Sequence, residues 1–252
     1  LAVFWDNSDY YRYFLNYLQI YNEEDEVLKD LVNSVEHPIK KISYKTPEHF
    51  ISEGTTYLET SEGSLPLMIF GSHNLLNLAG AQWIAQLMGL DSSDFYEAIP
   101  SFKGASKRLE LLVKSTTAFL YKDFAHAPSK VKATSSALKA QFPRKKITVC
   151  VELHTYSSLD SKFIIQYANT LDAADEVMVF YDPEALKIKN RDAIPPETIK
   201  RAFDHPVLEV FTQTASLESK LLETDYNEEV LVMMSSGNFG GLNWEALQSR
   251  FT

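Results

Sequence analysis

The sequence is poor in cysteine, has fewer basic than acidic residues, and lacks a long apolar run. Its 252 residues include one cysteine, Cys150, so no disulfide framework and no cysteine-based metal site can form within it. No apolar stretch approaches the roughly 18 residues of a membrane span. With 24 basic against 34 acidic side chains the formal net charge is −10, which disfavours general binding to nucleic acid or to an anionic membrane. We therefore expect a cytoplasmic protein.

Several catalytic motifs are absent as well. The sequence contains no G-x-S-x-G nucleophile elbow, no H-E-x-x-H zinc motif and no G-x-G-x-x-G dinucleotide fingerprint. It also contains no G-x-x-x-x-G-K-[ST] phosphate loop. If the protein uses ATP, its triphosphate clamp lies outside these residues, and we predict no metal ligand among them.

What the sequence does contain is a regular alternation of apolar runs and helical segments after residue 102. The runs expected to form strands cover residues 116–121, 147–153, 176–181, 207–211 and 230–234. The segments expected to form helices begin at Pro128 and cover residues 161–171, 196–203, 216–222 and 244–251. Five strands alternating with helices predict a doubly wound α/β domain with a mainly parallel sheet.

The first hundred residues predict part of another α/β unit. Acidic residues 23–25 favour a helix that runs to about residue 35, and residues 39–45 favour a strand. Residues 55–60 and 65–70 predict a hairpin with a four-residue loop, and a helix follows that ends at Gly89. We expect the boundary between the halves near residue 101, which gives segments 1–101 and 102–252.

Polar residues follow three of the predicted strands. Ligands of a doubly wound sheet bind beyond the carboxyl ends of its strands, so these loops are candidate sites. The candidates are Asp123 and His126 after the first strand, Glu152, His154, Ser157 and Ser158 after the second, and residues 235–241, which read SSGNFGG, after the last.

Each of these residues also fits a purely structural role. His126 and His154 could be helix-capping or core histidines, and Asp123 could cap the helix that follows it. The glycine-rich loop fits a turn as well as a phosphate cradle. Taken singly, none of the loops identifies a reaction.

Three longer motifs occur in order and resemble those of one enzyme family. Residues 71–77, GSHNLLN, resemble a Gly-x-His-Asn-x-x-Asn stretch, and residues 102–110, FKGASKRLE, resemble a Phe-x-Gly-x-x-x-Arg-Leu-Glu stretch. Residues 123–128, DFAHAP, resemble an Asp-[Tyr/Phe]-[Ala/Gly]-His-x-Pro motif. The sequence is thereby similar to the Mur ligases, ATP-dependent enzymes of bacterial cell-wall synthesis.

The resemblance implies a domain plan and an activity. Residues 1–101 would be the C-terminal part of the ATP-binding central domain, and residues 102–252 the Rossmann-like C-terminal domain. The implied activity is an ATP-dependent amide-bond ligase of peptidoglycan synthesis and recycling. It would join UDP-N-acetylmuramate to the tripeptide L-alanyl-gamma-D-glutamyl-meso-diaminopimelate through an acyl phosphate. The cofactors would be ATP and Mg²⁺, with the Mg²⁺ ligands outside this stretch.

The matched motifs also imply roles for individual nucleotide-binding residues. Asn74 would hydrogen-bond the adenine, and His73 and Asn77 would shape its pocket. Arg108 would contact ATP phosphate or the acyl phosphate, because a guanidinium can bind phosphate through two parallel hydrogen bonds. Asp123 would bind the ribose or orient the nucleotide.

Other matched residues would serve the reacting centre and the peptide. His126 would face the reacting centre or the incoming peptide, and with Arg108 and Asp123 it completes the predicted catalytic set. The predicted substrate-binding residues are Glu152, His154, Ser157, Ser158, Ser236, Gly237 and Asn238.

Alternative functions remain open. A related family enzyme adds L-alanine to UDP-N-acetylmuramate and typically carries Pro-His-Arg-Tyr-[Thr/Ser]-Arg where residues 153–158 here read LHTYSS. The loss of both arginines disfavours single amino-acid addition. Without a phosphate loop, the sequence also fits a non-catalytic fragment that binds nucleotide or peptide. A generic doubly wound transferase is the third alternative.

Overall fold

The apolar runs and helical segments fold into alternating strands and helices in a computed structural model that describes residues 18–36, 39–155, 157–183 and 194–252. These residues form two units that interleave along the chain. The first unit contains the described residues up to 48 together with 73–98, and the second contains 49–72 with the described residues from 99 onward. The assignment of segments 1–101 and 102–252 to two family domains stays a prediction, and residues 1–17 lie outside the described residues.

The described residues of the first unit form a small parallel sheet and three helices. Its elements are β1 (Leu18–Asn22), α1 (Glu26–Ser34), β2 (Lys40–Tyr44), α2 (Ser72–Leu87, whose first residue belongs to the second unit) and α3 (Ser92–Ala98). β1 and β2 pair in parallel. The predicted acidic cap of α1 is confirmed, because the Asp25 carboxylate accepts a hydrogen bond from the Leu28 N–H at 3.0 Å. β1 was not predicted.

The second unit begins with a three-stranded antiparallel sheet. It consists of β3 (His49–Ser52), β4 (Thr55–Thr60) and β5 (Gly63–Leu67), in that spatial order. The predicted hairpin is confirmed, but its loop has two residues rather than four because Gly63 already pairs with Thr60. The Thr56 hydroxyl donates to the buried Gln141 side chain at 2.8 Å, which joins this sheet to the helix that carries Gln141.

The main sheet of the second unit has six strands in the order β10-β9-β8-β11-β7-β6. Its strands are β6 (Glu110–Lys114), β7 (Phe119–Asp123), β8 (Lys146–Glu152), β9 (Glu176–Phe180), β10 (Leu208–Phe211) and β11 (Glu229–Met234). Five of them are parallel, and β6 adds an antiparallel edge. Outside residues 184–193, which are not described, the α-helices of this unit are α4 (Pro128–Gln141), α5 (Pro196–Phe203), α6 (Thr214–Glu223) and α7 (Trp244–Ser249).

Both faces of the main sheet are covered. Val149 packs into a core with residues of α4 and α5, whereas its neighbour Cys150 packs into a second core with residues of α6 and α7. Successive strand residues face opposite sides, so each buried strand supplies both cores. The predicted mixed α/β fold with a mainly parallel sheet is confirmed. No helix in the described ranges is long and apolar enough to cross a lipid bilayer.

The helix predicted for residues 161–171 is wrong. The segment forms a 3₁₀ turn, Ile164–Tyr167, instead. The Asp160 carboxylate accepts hydrogen bonds from the N–H groups of Lys162 and Phe163, and Asn169 adopts a left-handed φ of 59°. A left-handed residue interrupts a right-handed helix, so the apolar period there reflects core packing alone.

Candidate functional site

Three polar loops meet at the carboxyl edge of the main sheet. β8, β11 and β7 are consecutive neighbours, so the loops that follow them lie side by side. Ser235 joins all three: its N–H donates to the Asp123 carbonyl at 2.9 Å, and its hydroxyl donates to the Glu152 carboxylate. The sheet therefore brings together the loops that carry the predicted polar residues of this unit.

Asp123 is a buried clamp at the end of β7. Its side chain is 8% exposed. Oδ1 accepts from the Leu109 N–H at 3.0 Å, and Oδ2 accepts from the Thr134 hydroxyl at 2.5 Å. Both carboxylate oxygens thus hold other parts of the chain, one in the segment before β6 and one on α4.

The segment held by Asp123 presents Arg108. The residues on either side, Lys107 and Leu109, adopt left-handed φ angles of 59° and 48°, which cost about 1–3 kcal/mol each. Backbone hydrogen bonds keep them there, including Phe124 N–H to Lys107 O at 2.8 Å. Arg108 is exposed, and its guanidinium forms no ion pair within the part of the chain that the structure describes. A fixed backbone therefore presents an exposed guanidinium that no described carboxylate pairs with.

His126 is oriented by its own loop. Its Nδ1 lies 2.9 Å from the Phe124 carbonyl, and its ring packs edge-on against the Phe124 ring with centroids 5.2 Å apart. Nδ1 donates to that carbonyl in the tautomer that leaves Nε2 free to accept a proton. The Tyr167 hydroxyl donates to the His126 carbonyl, and burial raises the pKa of Tyr167, so the phenol remains a donor.

Glu152 anchors the glycine-rich loop. The side chain is 4% exposed, and its Oε2 accepts from the Ser235 hydroxyl and from the Phe239 N–H at 2.9 Å. His154 Nδ1 lies 3.8 Å from Oε1. Gly237 passes so close that an added Cβ would meet Glu152 Oε2 at 2.8 Å and the His154 ring at 2.9 Å. A side chain at position 237 would therefore have to displace the Glu152 carboxylate or the His154 ring.

The remaining predicted substrate residues differ in their surroundings. Ser158 is 1% exposed, and its hydroxyl is used by the backbone of Thr155, which makes it part of a turn. Ser157 and Asn238 are exposed. The Ser236 hydroxyl is buried and has no hydrogen-bond partner within the described residues. Tyr156, in the segment compared above, lies outside the described residues.

The predicted adenine residues belong to the other unit. His73, Asn74 and Asn77 lie in the first two turns of α2, where Asn77 is exposed and the other two are partly buried. Arg108 and Asp123 belong to the second unit. Across the described ranges, no group of three or more His, Cys, Asp and Glu side chains could hold a metal ion.

Sequence reasoning missed several positioning residues. Thr134 of α4 donates a hydrogen bond to the Asp123 carboxylate. Tyr167 of the 3₁₀ turn donates a hydrogen bond to the His126 carbonyl. Ser235 was included only as part of its loop, although it bridges two strand ends. In the sequence, Thr134 is recognisable as a hydroxyl on the face of α4 that is expected to be buried. Its hydrogen-bond partner could not be predicted, because that depends on where the helix packs.

Comparison with known proteins places this geometry in context. A curated UDP-N-acetylmuramate–L-alanine ligase from Caldicellulosiruptor bescii is 30% identical over 192 residues, which is 71% of this chain and 42% of that protein. The solved UDP-N-acetylmuramate-alanine ligase from Thermotoga maritima matches with a TM-score of 0.60 at 19% identity, covering 84% of this chain and 46% of that one. A murein peptide ligase from Psychrobacter arcticus matches with a TM-score of 0.56 at 18% identity, covering 89% and 50%.

These matches share one limit in length. The chain spans about half the length, or less, of the curated relatives it matches, 42% of the one from C. bescii. At 18–19% identity the solved structures show a common fold. No protein-family model matches the chain.

Proposed function

We propose that this chain, which belongs to the Mur ligase family, is part of an ATP-dependent ligase that forms an amide bond on UDP-N-acetylmuramate. The observation that carries the proposal is the exposed Arg108 guanidinium, which has no ion pair among the described residues and is held on a strained backbone by Asp123 at the carboxyl edge of the sheet. Such an arrangement suits an anion that must be held in one orientation. The enzyme would act in the cytoplasm, in peptidoglycan synthesis.

In the proposed reaction, this chain positions charge and accepts hydrogen bonds. ATP, with Mg²⁺ bound outside these residues, supplies the phosphoryl group that makes a carboxylate reactive toward an amine. Arg108 binds that phosphoryl group, and Asp123 keeps the Arg108 backbone in place through the Leu109 N–H. His126 directs Nε2 toward the incoming amine and accepts a hydrogen bond from it, since Nδ1 is held by the Phe124 carbonyl. His73, Asn74 and Asn77 would contact the adenine.

The amine donor would be the wall tripeptide. Support comes from the loop anchored by Glu152, which exposes Asn238 and places Gly237 against His154, so several polar groups are available to a peptide. Ser157 would add to this surface, whereas the buried Ser158 stabilises it. L-alanine is the second candidate, favoured by the name of the C. bescii relative.

The decisive test offers both amines to the full-length protein. ATP and UDP-N-acetylmuramate are supplied with the tripeptide or with L-alanine, and the amide product is identified by mass spectrometry. Product from the tripeptide supports the proposal. Product from L-alanine alone transfers the assignment to the second candidate, and no amide product from either amine contradicts the ligase function.

Substitutions distinguish the proposed role of Arg108 in binding phosphate from the structural role of Asp123. Arg108→Ala should lower turnover about 100-fold without changing thermal stability, because the exposed guanidinium is used only by the bound anion. Asp123→Ala should lower turnover at least about tenfold and also cost about 2–3 kcal/mol of unfolding free energy, since the Leu109 N–H and the Thr134 hydroxyl lose their acceptor. The matched control is Arg201→Ala, which removes an exposed arginine of α5. Wild-type turnover in Arg108→Ala would remove Arg108 from the site.

A further inference from the structure

A cavity lies in the second unit, apart from the residues assigned above. It has a volume of about 1340 Å³ and is bordered by the three-stranded sheet, the segment from residue 100 to β6, and the turn that follows α4. Arg108, Asp123, His126 and Glu152 do not line it. The cavity is large enough for a drug-sized ligand.

The floor of the cavity is aromatic and contains one unusual hydroxyl. The Tyr121 ring packs against Phe70, Phe119 and Phe142, with ring centroids 5.7, 6.4 and 6.2 Å away. Tyr121 is 5% exposed and lines the cavity, yet its hydroxyl has no hydrogen-bond partner within the described residues. Burial raises the pKa of this phenol, so it stays a neutral donor.

The other buried tyrosines differ from Tyr121 in the use of their hydroxyl groups. The hydroxyls of Tyr167, Tyr181 and Tyr226 each donate to a backbone carbonyl. Among the described residues, the buried side-chain polar atom without a partner is the Ser236 hydroxyl, so the Tyr121 hydroxyl is open to the cavity and can donate to an acceptor bound there.

The rim of the cavity carries charges of both signs, four lysine or arginine side chains and three glutamates. Lys103, Lys114 and Arg144 line it, are exposed, and form no ion pair within the described part of the chain. Lys114 Nζ lies 5.5 Å from the centroid of the Phe119 ring, at the border between rim and floor. Three carboxylates also line the cavity: Glu110 accepts from the Lys107 N–H, Glu228 is paired with Lys145 at 2.6 Å, and Glu53 is exposed.

We infer that this cavity binds an amphipathic anion, a flat apolar body with a carboxylate, sulfonate or phosphate group. The body lies against the Phe119 and Phe142 rings, and the acidic group receives the Tyr121 hydroxyl and faces Lys114 and Arg144. The inference does not depend on the proposed ligase function, because it uses none of the residues assigned to that function.

The test uses two fluorescent probes of nearly equal shape. Anilinonaphthalene sulfonate carries the anionic group, and phenylnaphthylamine lacks it. With the intact chain, the sulfonate should bind one saturable site. Lys114→Gln with Arg144→Gln should weaken sulfonate binding about five- to tenfold and change binding of the neutral probe less than about twofold. Tyr121→Phe should weaken sulfonate binding about three- to tenfold.

The matched control removes two lysines elsewhere. Lys130→Gln with Lys132→Gln changes the net charge equally on the exposed side of α4 and should leave both affinities unchanged. Bound sulfonate should also protect Lys103 and Lys114 from acetylation, read by mass spectrometry, with Lys130 as the unprotected reference. Binding that does not saturate, equal affinities in all variants, or no selective protection would each overturn the inference. The rim variants are exposed, so loss of folding does not obscure the result.

Discussion

The two ends of β8 and β11 carry the same pair of groups in different surroundings. At the amino ends, the Thr148 hydroxyl on β8 donates to the buried Glu229 carboxylate on β11. At the carboxyl ends, the Ser235 hydroxyl that follows β11 donates to the buried Glu152 carboxylate on β8. Each end thus buries one carboxylate with a hydroxyl from the neighbouring strand.

The two ends differ in the groups that surround the buried carboxylate and its hydroxyl donor. At the amino end, Lys146 Nζ lies 3.4 Å from Glu229 and 2.9 Å from Glu176, so charge compensates charge. Burial raises the pKa of Glu229, while Thr148 and Lys146 act against that shift. At the carboxyl end, Glu152 is held by backbone N–H and hydroxyl donors of a loop, and in the described ranges no lysine or arginine pairs with it. One end is a closed structural network, whereas the other positions a loop that faces solvent.

Removing each carboxylate should reveal this difference. Glu152→Ala and Glu229→Ala should each cost about 2–3 kcal/mol of unfolding free energy in urea, because buried donors lose their acceptor. Only Glu152→Ala should also accelerate hydrogen exchange of the amides of residues 235–241 while the sheet stays folded.

Glu223→Ala, at an exposed position of α6, is the control and should change stability by less than about 0.5 kcal/mol. Equal exchange in the glycine-rich loop of both variants would remove the distinction between the two ends.

The close approach at Gly237 allows a finer test of the carboxyl end. Gly237→Ala should cost about 1–2 kcal/mol, because the new methyl group meets Glu152 and the His154 ring. His154→Ala should recover part of this loss in the double variant, measured by urea unfolding in a double-mutant cycle. Asn238→Ala, at the exposed neighbour, is the matched control. Strictly additive effects would mean that the ring does not limit the space at position 237.

The smallest effect concerns pH at the amino end. Burial alone would raise the pKa of Asp175, but the Ile147 N–H and the Lys139 ammonium hold it below its usual value. A carboxyl whose pKa is lowered by folding stabilises the protein above its unfolded pKa, roughly 3.9, and loses that contribution as pH falls through the folded value.

Asp175→Asn should therefore cost about 0.5–1 kcal/mol near neutral pH and much less near pH 3, as measured by urea unfolding at each pH. Asp172→Asn, which is exposed, should show no such dependence. A cost that persists unchanged at low pH would assign the effect to hydrogen bonding by the neutral side chain.

Sequence alone predicted the elements whose pattern is local. The continuous apolar run at residues 147–153 gave β8, and Asp123 and Glu152 were placed correctly at strand ends. β6 was missed because its five residues contain only three consecutive apolar residues between Glu110 and Lys114, a pattern too short to indicate a strand. The partners of Asp123 could not be predicted either, since its contact with Thr134 depends on how α4 packs on the sheet. The roles of the site residues stay predictions.

The position of Cys150 has a practical consequence. The thiol is fully buried in the middle of β8, between Met233 of β11 and Met178 of β9, and burial raises its pKa. Only the thiolate reacts readily, so a labelling reagent reaches this sulfur when the centre of the sheet separates. The labelling rate of Cys150 therefore reports how often the main sheet opens, and no cysteine has to be introduced to measure it.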